Sequence, residues 1–472
     1  MATANVKTRP KPFLFPHLCK ACGRCIEACP KDCIELGTEI DPVTGFTPVT
    51  VNLDACNGCG LCITACPEPH GLMATPEQVE GIDMVVSDPF SFFEARQRAR
   101  PVPDPVPSRQ ERLPRLEPLV LKGNHAAAIG ALLAGCRHFF GYPITPSTEG
   151  AELMAKLLPR LNGAFVQAVS EVATVNMMYG CGGAGLPCMT FTSSPGFSLM
   201  LEGISYMIGA EVPGVFVNVM RGGPGLGNIA PEQGDLKLVC RGLGHGNTHA
   251  IVLAPSTPQE MLDLAMLAFD LTFRYRNPVI IAGDGYLGQM TGRVSLPESL
   301  TVPGLPSWAV FGDAAHRGNL ICSIELNEVD QEVRNEKLNE KYARIAAAEQ
   351  RSDAFQCDDA EWLIVACNTP ARMAKGAIRA LRARGIKAGL FRPVTLWPFP
   401  IDALAPLVRR TRGTVVVEAG PGQLEDEMRL ALSHADVVPP GSIHHVRRHG
   451  GVLPQLNAIV ERVADLAEAH HD

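Results

Sequence analysis

Residues 141–149 read GYPITPSTE, and the apolar run His138, Phe139, Phe140 leads into them as the end of a strand would. Pro143 and Pro146 bracket Ile144 and Thr145, and Ser147 and Thr148 follow as candidate helix N-caps. Proline fixes φ and restricts the residue before it, so the loop is stiff and presents Thr145 in one geometry. Alone, such a stretch is an ordinary strand-to-helix turn. Here three more loops of the same kind follow, at Ser170–Glu171, at 192–196 (TSSPG) and at 221–228 (RGGPGLGN).

Working outward, the pattern predicts a helix over 125–133, capped by Asn124 and ended by Gly135, and another over 151–158. A strand over 164–169 leads into a helix that runs to Gly185. Further strands fall at 188–191, 214–220, 252–253 and 278–282. Strands alternating with helices imply an α/β fold with a doubly wound parallel sheet. Such sheets bind ligands outside the carboxyl ends of their strands. All four loops fall at that edge, and they carry a hydroxyl, an acid, more hydroxyls, and a guanidinium beside a glycine-rich turn. This α/β domain spans 118–296. A connector over 297–355 holds a polar helix (325–350), and a second α/β domain fills 356–472, with strands at 362–366, 386–391 and 414–417.

Upstream, nine of the sixteen cysteines fall within residues 19–66. They form two runs, Cys19, Cys22, Cys25, Cys29-Pro30 and Cys56, Cys59, Cys62, Cys66-Pro67. This is the spacing of a bacterial two-cluster ferredoxin, in which the fourth cysteine of each run ligates the other cluster. Cys19, Cys22, Cys25 and Cys66 are therefore assigned to one [4Fe–4S] centre, and Cys56, Cys59, Cys62 and Cys29 to the second. Zinc knuckles close with two pairs of ligands and do not explain three close ligands plus Cys-Pro. Cys33 lies outside the pattern and reads as a small buried residue. Residues 1–75 thus form a ferredoxin-like domain. Residues 76–117, where Pro101, Pro103, Pro105, Pro107 and Pro114 alternate with arginines, read as a semi-rigid extended linker.

Length, 46% hydrophobic content and 6% aromatics suit several packed α/β domains, and a net charge of -7 offers nothing to nucleic acid. No apolar run reaches transmembrane length and no signal peptide is read, so the expectation is a cytoplasmic protein whose cysteines serve metal rather than disulfides. Two motifs are decoys. Gly225-x-Gly227 lacks the third glycine of a dinucleotide fingerprint. Gly283-Asp284-Gly285 resembles the opening of a thiamine-diphosphate magnesium motif but lacks the later asparagine, with Phe311, Gly312 and Asp313 in its place. Asp284 is read as a loop residue. Glu171 has apolar neighbours in Val169, Val172 and Ala173, which favour a retained proton, while a helix N-terminus favours the carboxylate. The sequence leaves the two in balance. Arg221 suits bidentate grip of a carboxylate, or else a surface ion pair.

The strings GYPITPSTEG (141–150), SEVATVNMMYG (170–180), SSPGFSLMLEGISYM (193–207), NVMRGGPGLGNIAPEQGD (218–235), IVLAPSTPQEM (251–261) and RPVTLWPFP (392–400) resemble the α-type subunit of 2-oxoacid:ferredoxin oxidoreductases. The form GGPGLGN is most similar to the branched-chain, 2-oxoisovalerate members, with the 2-oxoglutarate members as the alternative. The cysteine unit resembles the δ-type subunit, fused in front. The resemblance implies a thiamine-diphosphate pyrimidine-binding domain and a transketolase C-terminal-like domain. A separate β chain would hold the diphosphate and Mg²⁺, and a γ subunit is implied beside it. It implies oxidative decarboxylation of a 2-oxo acid to acyl-CoA and CO₂, with electrons passing through the clusters to an external ferredoxin or similar acceptor.

By position, Glu171 would hydrogen-bond the pyrimidine N1′, and Thr145 and Arg221 would hold the substrate. Tyr142, Pro143, Ile144 and Ser194 would contact the cofactor. Departures are Val169 where the family often has an acid, Cys181-Gly182-Gly183 in place of an alanine run, and Glu418-Ala419-Gly420-Pro421. The rival from another class is a catalytically silent electron-transfer adapter.

Overall fold

β-strands and helices assign themselves to two units, 1–100 and 101–472, which are taken separately. The structure is a computed structural model and describes residues 11–42, 44–68, 71–74, 104–316 and 318–469. Residues 1–10 of the expected ferredoxin-like domain, its last residue 75, and linker residues 76–103 lie outside the described residues.

In the first unit β1 (Phe13–Leu14) pairs antiparallel with β4 (Leu72–Met73), and β2 (Ile34–Leu36) with β3 (Val49–Val51). Between the strands stand two one-turn helices, Arg24–Glu27 and Leu61–Ala65. Each begins after a glycine in the left-handed region, Gly23 at φ 75° and Gly60 at φ 80°. A β-carbon disfavours that conformation, so these glycines let the chain fold tightly round the thiols of Cys22 and Cys59. Cys25, Cys33, Ile34, Val49, Cys62 and Leu72 make a small core.

The second unit contains two sheets. The larger has the order β18-β11-β12-β10-β9-β7-β8. Its members are β7 (His138–Gly141), β8 (Ala164–Gln167), β9 (Cys188–Thr192), β10 (Val215–Met220), β11 (Ile251–Leu253), β12 (Val279–Asp284) and β18 (Thr395–Trp397). All pairings are parallel except β11 with β18. The central strands are buried along their length, the signature of a sheet covered by helices on both faces. The smaller sheet has the order β15-β17-β16-β19-β20, from β15 (Ser352–Phe355), β16 (Trp362–Val365), β17 (Ala388–Pro393), β19 (Gly413–Glu418) and β20 (Ile443–Arg447). The α/β class with a doubly wound parallel sheet is as expected.

Four local readings change. Residues 106–112 are not a free tether: Val106 bridges Leu305, and β5 (Arg109–Arg112) pairs with β14 (Ser299–Val302). The connector is likewise built in, because β15 is an edge strand of the smaller sheet. β6 (Leu119–Lys122) pairs with β13 (Thr291–Val294) and closes the larger domain on itself. The stretch RPVTLWPFP is shared between the domains: Arg392 and Pro393 end β17 in the smaller sheet, and β18 crosses to edge the larger one. Finally, Asn124 is not a cap. The helix starts at Gly123, and the fully buried Asn124 amide donates to the Pro146 carbonyl at 2.8 Å and to Glu149 Oε2 at 3.2 Å. It is spent on holding the GYPITPSTE loop.

Candidate functional site

Parallel strands β7, β8, β9 and β10 end at one edge, and the four loops meet there. Ser170 caps the helix Glu171–Gly183 by accepting from Ala173 N–H at 3.2 Å, so Glu171 is its first residue. Glu171 is 5% exposed, yet its carboxylate makes no hydrogen bond or ion pair among the described residues. It faces Gly196, where a β-carbon would lie 2.4 Å from Glu171 Oε1 and 2.5 Å from Thr192 Oγ1. Glycine is required there by close approach. Thr192 Oγ1 and Ser193 Oγ, both buried in the same loop, also lack partners. Two buried hydroxyls without partners cost free energy, about 1–3 kcal/mol each, and together with an acid that no protein group engages they mark a place for a polar ligand.

Arg221 ties the loops together. Its guanidinium donates to the Thr145 carbonyl at 2.7 Å and to the Leu226 carbonyl at 3.1 Å, while Nε is buried without a partner. The Thr145 side chain is exposed and its hydroxyl makes no hydrogen bond among the described residues. Tyr142 and Pro143 are exposed and Ile144 is half-buried on the same loop. Ser194, expected at the cofactor, is instead committed within the protein: its hydroxyl donates to Asp235 Oδ2 at 2.5 Å and accepts from Arg221 N–H at 3.0 Å. Asp235 also accepts from Asn218 at 3.1 Å, and burial pushes its carboxyl above the usual range against those two hydrogen bonds.

Of the apolar neighbours in sequence, Val169 is 87% exposed and Val172 is exposed too, so they do not cover Glu171.

Sequence reasoning missed the residues that brace these loops. Asn218 stood out as the one polar residue of VFVNVM, and that signal was there to be used. Glu232 and Gln233 gave none. Glu232 accepts from Gly223 N–H at 3.0 Å and Gly450 N–H at 3.1 Å. Gln233 is fully buried and bonds Cys367 Sγ at 3.0 Å, Asn368 Oδ1 at 3.0 Å and Ala419 N–H at 2.9 Å. The glycine-rich loop is thus clasped by the second domain. Asp284 is no metal ligand: it ends β12, caps the helix Gly285–Gln289, and accepts from Thr369 N–H at 2.9 Å and Thr369 Oγ1 at 2.8 Å.

In the first unit the cysteines sort crosswise. One cavity is lined by Cys19, Cys22, Cys25 and Cys66, with Leu14 and Leu72. Burial pushes the Cys25 thiol up to about 11, with the neighbouring Cys19, Cys66 and Cys22 adding to it. Cys62 is raised by burial and has Cys56 and Cys59 beside it. Buried Cys33 lies with its Sγ 3.3 Å from Cys29 Sγ and within hydrogen-bonding reach of Cys56, so Cys29 sits with the second run. Among the described residues no three His, Cys, Asp or Glu side chains converge closely enough for a single ion. Four thiols spread round a cavity suit a larger, multi-iron group.

Comparison with known proteins agrees. Residues 129–305 match the family described as pyruvate flavodoxin/ferredoxin oxidoreductase, thiamine diphosphate-binding, and 360–459 match pyruvate:ferredoxin oxidoreductase core domain II. Residues 18–69 match the 4Fe–4S dicluster domain. The ketoisovalerate oxidoreductase subunit VorB of Methanothermobacter thermautotrophicus is 45% identical over 350 residues, which cover 74% of this chain and 97% of that relative. The 2-oxoglutarate synthase subunit KorA of Methanocaldococcus jannaschii is 34% identical over 342 residues, covering 67% and 93%. The solved 2-oxoglutarate:ferredoxin oxidoreductase of Magnetococcus marinus superimposes with a TM-score of 0.67 at 25% identity, over 74% of this chain and 65% of that one. The chain belongs to the 2-oxoacid:ferredoxin oxidoreductase family, as an α-type subunit with a 4Fe–4S dicluster domain at its N-terminal end.

Proposed function

We propose that this chain is the pyrimidine-binding half of a thiamine-diphosphate-dependent enzyme that oxidatively decarboxylates a branched-chain 2-oxo acid, 2-oxoisovalerate, to its acyl-CoA. The observation that carries the reading is the Glu171 carboxylate, on a buried residue and without a protein partner among the described residues, set beside two buried hydroxyls without partners at the edge where Arg221 and Thr145 meet. Those residues fit an aminopyrimidine, which offers ring nitrogens and an amine to an acid and hydroxyls. Bound thiamine diphosphate supplies the electron sink for loss of CO₂, the [4Fe–4S] clusters carry electrons off singly, and CoA takes the acyl group.

Glu171 holds a hydrogen bond, and the proton in it, at the pyrimidine N1′. Thr192 and Ser193 are the hydroxyls left to orient the ring, in place of Ser194. Arg221, already fixed by two carbonyls, has N–H groups left to grip the substrate carboxylate, and the Thr145 hydroxyl sits beside it. Cys19, Cys22, Cys25 and Cys66 would hold one cluster and Cys56, Cys59, Cys62 and Cys29 the other.

With Asp284 spent on structure, the diphosphate and Mg²⁺ belong to a β partner, with a γ subunit and an external ferredoxin-type acceptor completing the assembly. We place it in the cytoplasm, where sixteen cysteines stay reduced.

The branched-chain substrate rests on the VorB likeness, and 2-oxoglutarate is the alternative favoured by the KorA likeness. The test is cluster bleaching by the co-purified complex given thiamine diphosphate, Mg²⁺ and CoA, with 2-oxoisovalerate, 2-oxoglutarate or pyruvate. CoA-dependent bleaching with 2-oxoisovalerate is the expected result. Bleaching with 2-oxoglutarate alone moves the substrate, and none with any acid despite full cluster loading supports the silent adapter.

A further inference from the structure

Three thiols and an imidazole meet at the amino ends of the larger sheet's strands, remote from the loops described above. β7 and β9 are neighbours in register at His138 and Cys188, their first residues. Cys136 lies just ahead of β7, and its thiol donates to the His138 carbonyl at 3.4 Å. The helix Glu171–Gly183 packs on both strands and brings down Cys181 in its last turn. Cys181 is ten residues beyond Glu171, about 15 Å along the helix.

After the helix the chain turns straight back. Leu186 N–H donates to the Cys181 carbonyl at 3.2 Å, and the Cys181 thiol lies 3.9 Å from the Leu186 carbonyl. His138 Nδ1 lies 3.2 Å from the Pro187 carbonyl, which can only accept, so Nδ1 carries the proton and Nε2 is left for a neighbour. That neighbour is Cys181, and Cys188 also lies against it. Cys188 is fully buried, its Sγ 3.6 Å from the Met178 carbonyl, one turn before Cys181 on the same side of the helix. Cys181 is only partly covered. Cys188, with His138 assisting, holds the Cys181 thiol down at about 6 against the effect of burial.

An accessible thiolate beside an imidazole, backed by a buried second thiol, is the arrangement in which an oxidant attacks one sulfur and the other resolves it.

We propose that Cys181 and Cys188 form a peroxide-responsive dithiol. The Cys181 thiolate attacks one oxygen of hydrogen peroxide. The O–O bond breaks, and the departing hydroxide takes a proton from the His138 imidazolium and leaves as water. The Cys188 thiol then attacks the Cys181 sulfenic acid, forming the S–S bond and releasing a second water. The two thiols lose two electrons and two protons, and the peroxide gains them. A dithiol reductant restores both by exchange. The link pins the last turn of the helix that bears Glu171 to the start of β9.

The test uses the complex isolated without oxygen and reads each cysteine by mass spectrometry, so cluster bleaching does not enter the result. Iodoacetamide is expected to label Cys181 about tenfold faster than Cys322, which is also partly covered but has no imidazole partner. Stoichiometric hydrogen peroxide should link residues 181 and 188, and dithiothreitol should separate them. Cys188→Ser should stop at a sulfenic acid that dimedone traps. His138→Gln should slow the labelling of Cys181 to the rate of Cys322. Equal labelling of Cys181 and Cys322 in the unaltered chain overturns the proposal. So does the absence of a 181–188 link at a peroxide dose that oxidises Cys322.

Discussion

Gly196→Ala tests the placement of Glu171 without altering any acid. The added β-carbon would lie 2.4 Å from Glu171 Oε1, where an ordinary contact is about 3.4 Å. It would also lie 2.5 Å from Thr192 Oγ1, so the carboxylate and the Thr192 hydroxyl must each retreat by about 1 Å. The Glu171 stem is flexible and Gly196 sits within the helix Ser194–Leu199, so the backbone has no reason to move. Alanine improves helix propensity by about 1 kcal/mol, which offsets much of a repacking cost of about 1–3 kcal/mol. The expected change in Tm is a few degrees at most. A misplacement of about 1 Å at a reacting group costs on the order of 10²-fold in rate, or ~2.7 kcal/mol of activation free energy. The assay is kcat for CoA-dependent cluster reduction by the assembled complex with the 2-oxo acid it oxidises, run beside Glu171→Ala. Gly196→Ala should fall between wild type and Glu171→Ala. Wild-type kcat with an unchanged Tm would refute the role given to the Glu171 carboxylate.

Arg221→Lys replaces a fork that spans the Thr145 and Leu226 carbonyls with a single point of charge, and kcat/KM should fall by about 10–10²-fold, seen in initial rates over a range of 2-oxo acid concentrations. Asp284→Asn leaves part of the Thr369 and Leu287 donor set unsatisfied and should lower unfolding stability by about 1–3 kcal/mol, measured with urea. Its Mg²⁺ and thiamine diphosphate requirements should stay put, and a shifted Mg²⁺ requirement would count against the structural role. Burial raises the Glu418 carboxyl to about 7, against the opposing Leu424 N–H and Arg447. A raised acid favours folding fully below its ordinary value near 4.5 and loses that contribution as pH climbs through 7. Urea unfolding from pH 5 to 8 should therefore show a loss of about 3 kcal/mol that flattens in Glu418→Gln. An identical pH profile in the variant would remove Glu418 as its source.

The convergence of Thr145, Glu171 and Arg221 was legible because each follows a strand of one parallel sheet, and strand direction alone puts the following loops at one edge. The crossed sorting of cysteines was legible for a similar reason, since spacing limits which thiols can share a cluster. What braces the loops was not legible. Asn124 carries the residue type and position of a cap, and only the tertiary approach of Pro146 gives its amide a better partner. Ser194 looks as available as Ser193, and they are told apart by Asp235, forty-one residues away, reaching one hydroxyl and not the other. Gln233 is a polar residue in a polar loop until the second domain surrounds it. Proline alternation suggested a semi-rigid extended linker, but an extended chain is also ready to pair, and just after the prolines β5 finds β14.

Glu171 also shows why half a site can be stable. The unpartnered Thr192 and Ser193 hydroxyls beside it are a standing cost, and the chain bears it by spending its other polar groups on each other. Asp235 accepts hydrogen bonds from Ser194 and Asn218, Glu232 from two backbone N–H groups, and Asp284 from Thr369 and Leu287. The loops are therefore fixed before any ligand arrives, and ordering them is not charged against binding. On the loops that carry Glu171 and Arg221 the exposed side chains Val169, Val172, Leu226 and Ile229 are apolar. Covering them with a partner's surface would gain roughly 25 cal/mol for each Å² removed from water. It would also lower the dielectric round Glu171, where a hydrogen bond to the pyrimidine is worth more than in water. On the proposed function, an acid in this chain and a covering surface from a partner subunit would divide the work so that neither assembles a competent site alone.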